Sequence, residues 1–551
     1  MSSSQFRFRN TQTVGAAAAE QDEYYLNDCF VDTGMLSILL DCSDSRCILL
    51  GRTGAGKSAL ITQILLEEHV LVIKPDSLSL SYVSNSNVIK FFSEAGVNLN
   101  LFYRLLWRHI FVIEILKEKF GIKNEVQKEH WLQHIWSKIS RNRRNELALD
   151  YLKEWGDSFW QETDYRVQEI TKTFEKDLNG AAKMAVPDLI SVDFSAAKKL
   201  TQEQKEEVVN RGQEVVNKVQ ISKLNAIVDF LNDLLGSNRQ KNYYIVIDKL
   251  DEDWVEDKLR FRLIRELIEA SIEFTRIENV KVIIALRIDL LDRVYRYTRD
   301  TGFQEEKYRS SNLALTWSKP QLIEVLDRRI DKLVKNQYTK QTVTHKEILR
   351  DITLGKGTKK SINAIDYMID RTLFRPRDII QFFNACIALS NDKAMIDVNT
   401  LFKAEGNYSR ERFRALVDEW FGVYPNLALS SKILRNEKRV FRVKELDLSK
   451  VEENCLESLT SIDIQDGNDR SEMTRLIDGK LKPEEYRKNI ILVFYKVGLI
   501  GLKINDNINI SWSYLGGSSV SAAEIEDDSR VHIQPTFWRH FGIIDPTLRP
   551  E

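Results

Sequence analysis

The sequence predicts an α/β fold built on a parallel sheet and interrupted by a long helical segment. Three observations carry this. Short apolar runs at Cys47–Leu50, Val70–Ile73, Tyr243–Ile247 and Val280–Leu286 are followed within two residues by Gly51, Pro75, Asp248 and Arg287, as buried parallel strands often are. Helical patterns alternate with these runs, the signature of strand–helix–strand units. The first run passes directly into Gly51-Arg52-Thr53-Gly54-Ala55-Gly56-Lys57-Ser58, a G-x-x-x-x-G-K-[ST] loop that opens a helical stretch.

In chain order, the first fifteen residues lack an apolar signal core and are expected to form a flexible tail. Helices are expected over Ala17–Asn27 and around Met35–Leu40, then a strand, the loop, a helix over Ala59–Leu66, and a second strand closed by Pro75. From about residue 86 to 240 no strand pattern occurs. Leu101–Phe120 is amphipathic and aromatic. Lys123–Leu178 and Thr201–Leu235 read as long charged helices, separated by a looser piece over Gly180–Asp193. This suggests a helical hairpin inserted between strands, either a spacer or a binding arm. A weaker strand signal lies at Leu313–Trp317, and Ser318 to about Ala404 reads as helices alone. Further on, Glu484–Val497 is helical. Leu499–Lys503 and Ile508–Tyr514 flank the turn signal Asn505-Asp506-Asn507 and read as a β-hairpin. The expected organisation is a tail (1–15), an α/β core (16–317, with the insertion), a helical segment (318–404) and a C-terminal domain (405–551).

Composition narrows the class of function. With 80 basic and 81 acidic residues and a net charge of −1, the chain is not a basic nucleic-acid coat protein, although a local basic face remains open. Five scattered cysteines, with no Cys-x-x-Cys pair, argue against a disulfide framework or structural zinc and fit a reducing cytoplasm. No apolar run reaches the roughly 18 residues needed to span a bilayer, so no membrane partner is expected.

The glycine-rich loop carries the strongest chemistry. Backbone N–H groups of residues 51–58 can wrap the phosphates of a nucleotide, helped by the partial positive charge of the following helix. Gly51 and Gly56 allow turns and close approach that side chains would block. Lys57 is expected on the β/γ-phosphates and Ser58 on Mg²⁺. Ile245-Val246-Ile247-Asp248-Lys249-Leu250-Asp251-Glu252 has the form of a buried strand ending in acids. Asp248 is the expected Mg²⁺-shell carboxylate. Asp251 or Glu252 could orient or deprotonate water, and the sequence leaves the choice between them open. Arg287 follows a strand and could report the γ-phosphate, or simply start a helix in solvent. Arg375-Pro376-Arg377-Asp378 opens an apolar helix with ordinary capping chemistry, from which Arg377 could also face a nucleotide.

Other signals are weaker. His130 and His134 lie one helical turn apart beside Glu129, but no third metal ligand is evident. Asp248-Lys249-Leu250-Asp251 is a faint echo of the guanine-reading Asn-Lys-x-Asp, with the wrong first residue, so ATP is favoured. No Leu-Ser-Gly-Gly signature of transporter-type ATPases occurs.

Taken in order, Leu50–Leu60, Asp248–Glu252, Ala285-Leu286-Arg287 and Phe374–Asp378 resemble bacterial P-loop ATPases of the AAA+/STAND type, near the NACHT, KAP and origin-recognition groups. The resemblance covers roughly residues 30 to 75 and 240 to 385. It implies an ATPase core, a helical lid over 318–404, a first-sensor role for Arg287 and a lid-borne second sensor near Arg377. The C-terminal helix and hairpin, followed by Val531–Gly542, resemble a winged helix, which in such families binds DNA or locks the nucleotide-bound state. A histidine there, His532, is implied near the nucleotide; a histidine merely bonded within a strand is the plainer alternative. Relatives often belong to mobile-element or antiphage defence loci. No separate effector domain is recognisable, so a partner or effector chain is implied, and oligomerisation with it.

The leading expectation is an ATP-hydrolysing switch using ATP and Mg²⁺. A DNA- or RNA-binding loader or motor is the second, with Arg435, Lys438, Arg439, Arg442 and Lys444 as its densest basic cluster. A degenerate ATPase scaffold is the third.

Overall fold

Five short strands form a parallel sheet: β1 (Ile48–Gly51), β2 (Val70–Ile73), β3 (Tyr243–Ile247), β4 (Val280–Arg287) and β5 (Asn312–Ala314), in the order β2-β3-β4-β1-β5. The computed structural model describes residues 6–78, 80–120, 163–187, 194–218, 228–233, 235, 241–252, 254–299, 305–335, 342–353, 361–460, 468–515 and 520–543. The chain divides into two compact units. One holds Gly34–Leu50 and Leu60–Leu313; the other holds Met1–Thr33, Gly51–Ala59 and Ala314–Glu551.

In the sheet, β3 pairs with β2 from Val70↔Tyr244 to Ile73↔Ile247, and with β4 from Tyr243↔Val280 to Ile247↔Ile284. Every residue of β3, and of β4 up to Leu286, is buried, which is why β3 reads as an unbroken apolar run and β4 as one broken only by Lys281, whose ammonium donates to the Asp41 carbonyl at 2.9 Å. At the edge strand β2, Val72 is exposed. After β1 the chain enters the glycine-rich loop and then helix α1 (Lys57–Ile64). The weak strand expected at Leu313–Trp317 is displaced to Asn312–Ala314. Trp317 leaves the ladder because its indole Nε1 donates to the Ala55 carbonyl at 2.7 Å.

Between β2 and β3 the described residues are helical. Helix α2 (Asn100–Phe120) packs against α3 (Asp257–Phe274), the helix that follows β3. Trp107 Nε1 donates to the Leu263 carbonyl at 2.8 Å, and Arg104 lies 2.7 Å from the buried Glu266 carboxylate. Helices Thr163–Ala185 and Gln202–Lys218 pack on each other, as the helical-hairpin reading expects. The first continues through Gly180–Ala185, where a looser piece was expected. Phe174 within it stacks on Phe102 at 3.9 Å, and Leu178 and Ala182 are fully buried, so packing overrides the glycine. Most of the helix expected over Lys123–Leu178 lies outside the described residues, as do residues 219–227.

In the second unit the expected loose tail is instead packed. Phe8 is fully buried, meets Phe383 edge-on at 6.5 Å, and donates its N–H to the Lys393 carbonyl at 2.9 Å. The helix expected over Ala17–Asn27 breaks into a turn (Ala19–Gln21) and a helix (Glu23–Cys29). The break falls at Asp22, whose buried carboxylate accepts from Ala16 N–H and Arg329. The stretch after Ser318 is not purely helical: β6 (Ile352–Thr353) and β7 (Ser361–Ile362) form a small antiparallel ladder. Two long helices follow, α4 (Pro376–Ala388) and α5 (Val398–Trp420).

The C-terminal part has strand β8 (Val440–Arg442), helices Leu448–Thr460 and Asn468–Ile477, helix α6 (Pro483–Val497), and strands β9 (Ile500–Lys503) and β10 (Arg530–Ile533). The antiparallel order is β8-β10-β9. The hairpin partner expected at Ile508–Tyr514 meets β9 at one bridge only, Leu502↔Ser511. The ladder position goes to β10 because Val531 and Ile533 bury alternate side chains, whereas Ile508 and Ile510 stay exposed. Among the described residues no helix is long and apolar enough to cross a membrane.

Candidate phosphate-binding site

The loop leaving β1 has the backbone its sequence demands. Gly54 and Gly56 take φ of +79° and +104°, angles costly for any residue with a Cβ. A Cβ on Gly51 would lie 3.1 Å from Ala55 Cβ and 3.3 Å from Lys57 Cγ, so the turn closes tightly at its first residue. Lys57 starts α1, and its ammonium bends back to donate to the Gly51 and Arg52 carbonyls at 3.0 and 3.3 Å. Ser58 follows in the first helical turn, half-buried.

The outer side of the loop is held by buried charge. Glu419, near the end of α5, has a side chain only 4% exposed. Its Oε1 accepts from the Thr53 N–H at 3.4 Å and lies 3.5 Å from Arg52 Nε. Its Oε2 is 3.2 Å from Arg375 Nη1, which also donates to the Thr53 carbonyl at 2.6 Å. Arg375 in turn pairs with Asp378 at 3.0 Å, and Arg412 takes the other Asp378 oxygen at 3.0 Å. Burial alone would raise the Asp378 pKa; the two guanidiniums and the Leu373 N–H outweigh it and hold it at about 2. Arg52 reaches further, donating through Nη2 to the Val497 carbonyl at the end of α6 (2.7 Å). Arg377 presses on the loop: a Cβ on Gly54 would lie 2.7 Å from Arg377 Cβ. Its guanidinium Nε donates to the Ala17 carbonyl at 2.9 Å, and its N–H to the Gly54 carbonyl at 3.4 Å.

The acidic candidates occupy the carboxyl end of β3. Asp248 is half-buried, and Lys249 turns the chain with φ of +60°. Asp251 and Glu252 are exposed. Arg287, the last residue of β4, lies 2.8 Å from Asp289 and 3.4 Å from Asp251. Glu252 lies 3.4 Å from Lys249 instead. The geometry therefore brings Arg287 and Asp251 together and gives Glu252 a different neighbour.

The remaining candidates separate. His130 and His134 lie outside the described residues. His532 sits half-buried on β10, its pKa lowered by burial and by Arg530 and Lys503. In the basic cluster, Arg442 and Lys444 both pair with Asp528 (2.9 and 2.7 Å), and Lys438 lies 3.6 Å from Glu445. Sequence reasoning missed Glu419, Arg375 and Arg412 as loop supports. Arg375 had a signal in the Arg-Pro-Arg-Asp motif. Glu419 had none, since Asp418-Glu419 reads as a solvated helix end.

A family model, the FunZ-associated C-terminal helical domain, matches residues 320–417, which include α4 and most of α5. The chain is 22% identical to the putative transposon gamma-delta 80.3 kDa protein of Escherichia coli (strain K12), across 98% of this chain and 68% of that protein. No solved structure matches the chain. The protein thus combines a parallel sheet of P-loop-like strand order with a FunZ-associated helical domain, and is distantly related to that transposon protein.

Proposed function

We propose that the protein is an ATP-binding and ATP-hydrolysing switch that couples nucleotide state to assembly or to control of a partner. The observation that carries this reading is the loop between β1 and α1, with Gly54 and Gly56 at positive φ and Lys57 opening the helix. Ligands of open parallel sheets bind beyond the carboxyl ends of the strands, where β1 delivers this loop. Loop and helix N–H groups would receive the phosphates, and Lys57 would exchange its carbonyl contacts for β/γ-phosphate oxygens. Ser58 would ligate Mg²⁺ through its hydroxyl, and Asp248 would be the carboxylate of its shell; Mg²⁺ would neutralise charge developing on the phosphates. In hydrolysis, water attacks the γ-phosphorus, the bond to the β–γ bridging oxygen breaks, and ADP and phosphate leave. Asp251 or Glu252 would take the proton of the water. Arg287 and Arg377 are the proposed sensors.

The C-terminal helices and the β8-β10-β9 sheet support a winged-helix reading. Helix α6 buries Tyr486, Arg487, Ile490, Ile491 and Phe494, and its exposed first turn carries Glu484 and Glu485. A recognition helix for DNA needs a basic exposed face, so this module is read as a protein-contact or locking element. A homo-oligomer, a partner or effector protein and a cytoplasmic setting belong to this proposal. The transposon relative and the FunZ-associated match support a mobile-element or defence context.

The test is nucleotide binding and turnover by the full chain and by Lys57→Ala. Loss of both in the variant is expected; equal affinity and rate would reject the assignment.

A further inference from the structure

Several surface cations in the second unit are paired with carboxylates. Lys432 pairs with Glu457, Lys450 with Glu437, Lys393 with Asp397, and Arg442 and Lys444 with Asp528. One helix edge gathers several cations without such pairing. Helix α5 carries Lys403, Asn407, Arg410 and Arg414 at steps of four, three and four, which aligns them as one stripe, and all four are exposed. Arg410 bonds Asn407 Oδ1 at 2.7 Å. His540 is brought to the same helix: its N–H donates to Ser409 Oγ at 3.1 Å and its ring stacks on Phe413 at 3.9 Å. The Asn436 N–H donates to the Phe541 carbonyl at 2.9 Å, which carries exposed Arg435 towards the ring.

The side-chain charges that act on His540 are Arg435, Arg410 and Arg414, with no carboxylate among them; with burial, they keep the imidazole neutral down to about 4. Among the described residues none of these three arginines has a carboxylate within ion-pair distance. Glu411 is exposed on the neighbouring row of α5 and pairs with none of them.

We propose that Arg410, Arg414 and Arg435, gathered around His540, form a binding surface for the phosphodiester backbone of nucleic acid. Like charges gathered with no carboxylate in ion-pair contact repel one another and favour an anionic partner. Guanidinium forks match phosphate oxygens two at a time, which a lysine cannot do. One helical turn separates Arg410 from Arg414 by about 6 Å of rise, so adjacent phosphates can be held by one helix edge. Between Lys403 and Arg414 the stripe carries no large apolar side chain, as insertion into a lipid surface would need. Guanidiniums along one helix edge meet the phosphates first, so binding is expected to weaken steeply with salt. The surface is distinct from α6 and from the loop at Gly51–Ser58, and the inference does not depend on ATP turnover.

The experiment is fluorescence anisotropy with the full chain, without nucleotide, on a short duplex DNA of mixed sequence and on single-stranded DNA and RNA of the same length, over a salt series. Arg410→Gln/Arg414→Gln/Arg435→Gln is compared with Arg442→Gln/Lys444→Gln, whose parent cations share the Asp528 carboxylate. The triple variant is expected to lose about tenfold or more in affinity and to lower the salt slope by about 2 to 3, at roughly 0.9 per phosphate contact. The double variant is expected to change little, and ATP binding by the triple variant to be retained. Preference among the three probes identifies the form of nucleic acid. The proposal is overturned if the wild type binds none of them at low salt, if the triple variant keeps the wild-type slope, or if only vesicles of anionic lipid are bound.

Discussion

Arg375 Nη1 lies 3.2 Å from Glu419 Oε2 and at the same time donates to the Thr53 carbonyl at 2.6 Å, so one buried ion pair clamps the outer edge of the glycine-rich loop. Glu419 also receives the Thr53 N–H, and both backbone polar groups of Thr53 are thereby fixed by two residues far along the chain, Arg375 before α4 and Glu419 in α5. Glu419→Ala would leave Arg375 and Arg52 buried without their shared carboxylate. Breaking such a pair typically costs about 3–5 kcal/mol. Urea titration should show that loss. Glu419→Gln, which keeps an acceptor, should lose less, and equal stability of Glu419→Ala and wild type would show the clamp to be idle.

Gly54 tests the loop more locally. Alanine there would need a left-handed backbone, costing about 1–2 kcal/mol, and its Cβ would press against Arg377 Cβ. Gly54→Ala is expected to weaken nucleotide binding roughly tenfold, the factor that 1.4 kcal/mol gives. Arg377→Ala keeps the offending Cβ, so the double variant should stay impaired. Calorimetric titration with a non-hydrolysable ATP analogue measures both; full recovery in the double variant would place the fault in the Arg377 guanidinium instead.

The acids after β3 separate by their neighbours. Asp251 lies against Arg287, whereas Glu252 lies against Lys249. Asp248→Asn is expected to abolish Mg²⁺-dependent hydrolysis. Glu252→Gln is expected to keep ATP binding while stopping turnover, so that bound ATP accumulates. Single-turnover assays with radiolabelled ATP decide the order: if Asp251→Asn traps ATP and Glu252→Gln turns over normally, the two roles exchange.

Much of this was legible in the sequence because it rests on local pattern. Short apolar runs, broken in β4 only by Lys281, announced β1 to β4, and the glycine spacing announced the loop whose Gly54 and Gly56 take positive φ. What escaped depends on partners distant in the chain. Phe8 carries no sign that Phe383 and Lys393 will receive it. Ile508 and Val531 are equally good strand formers by composition, and only the burial available beside β9 selects the second. Glu419 is one carboxylate in a charged helix of a chain with 81 acidic residues, and its meaning comes from Arg52, Thr53 and Arg375. The acid order at Asp251-Glu252 was left open by spacing and acquires a distinction only from Arg287.

The basic surface around His540 predicts a signed pH effect. Burial, then the charges of Arg435, Arg410 and Arg414, lower its pKa to about 4, against about 6.5 in an unfolded chain. As pH falls from about 6.5 towards 4, the unfolded chain takes up this proton before the folded one. The contribution to stability is therefore complete above about 6.5 and is lost as pH falls through the folded value. His540→Phe keeps a ring against Phe413 and removes the titration. Its stability relative to wild type should improve steadily between about pH 6.5 and 4 and level off below. Urea titrations of both proteins across that range measure the difference directly. Parallel curves would mean that the imidazole takes up its proton as readily in the folded protein as in the unfolded chain, so that neither burial nor the three arginines act on it as their placement requires.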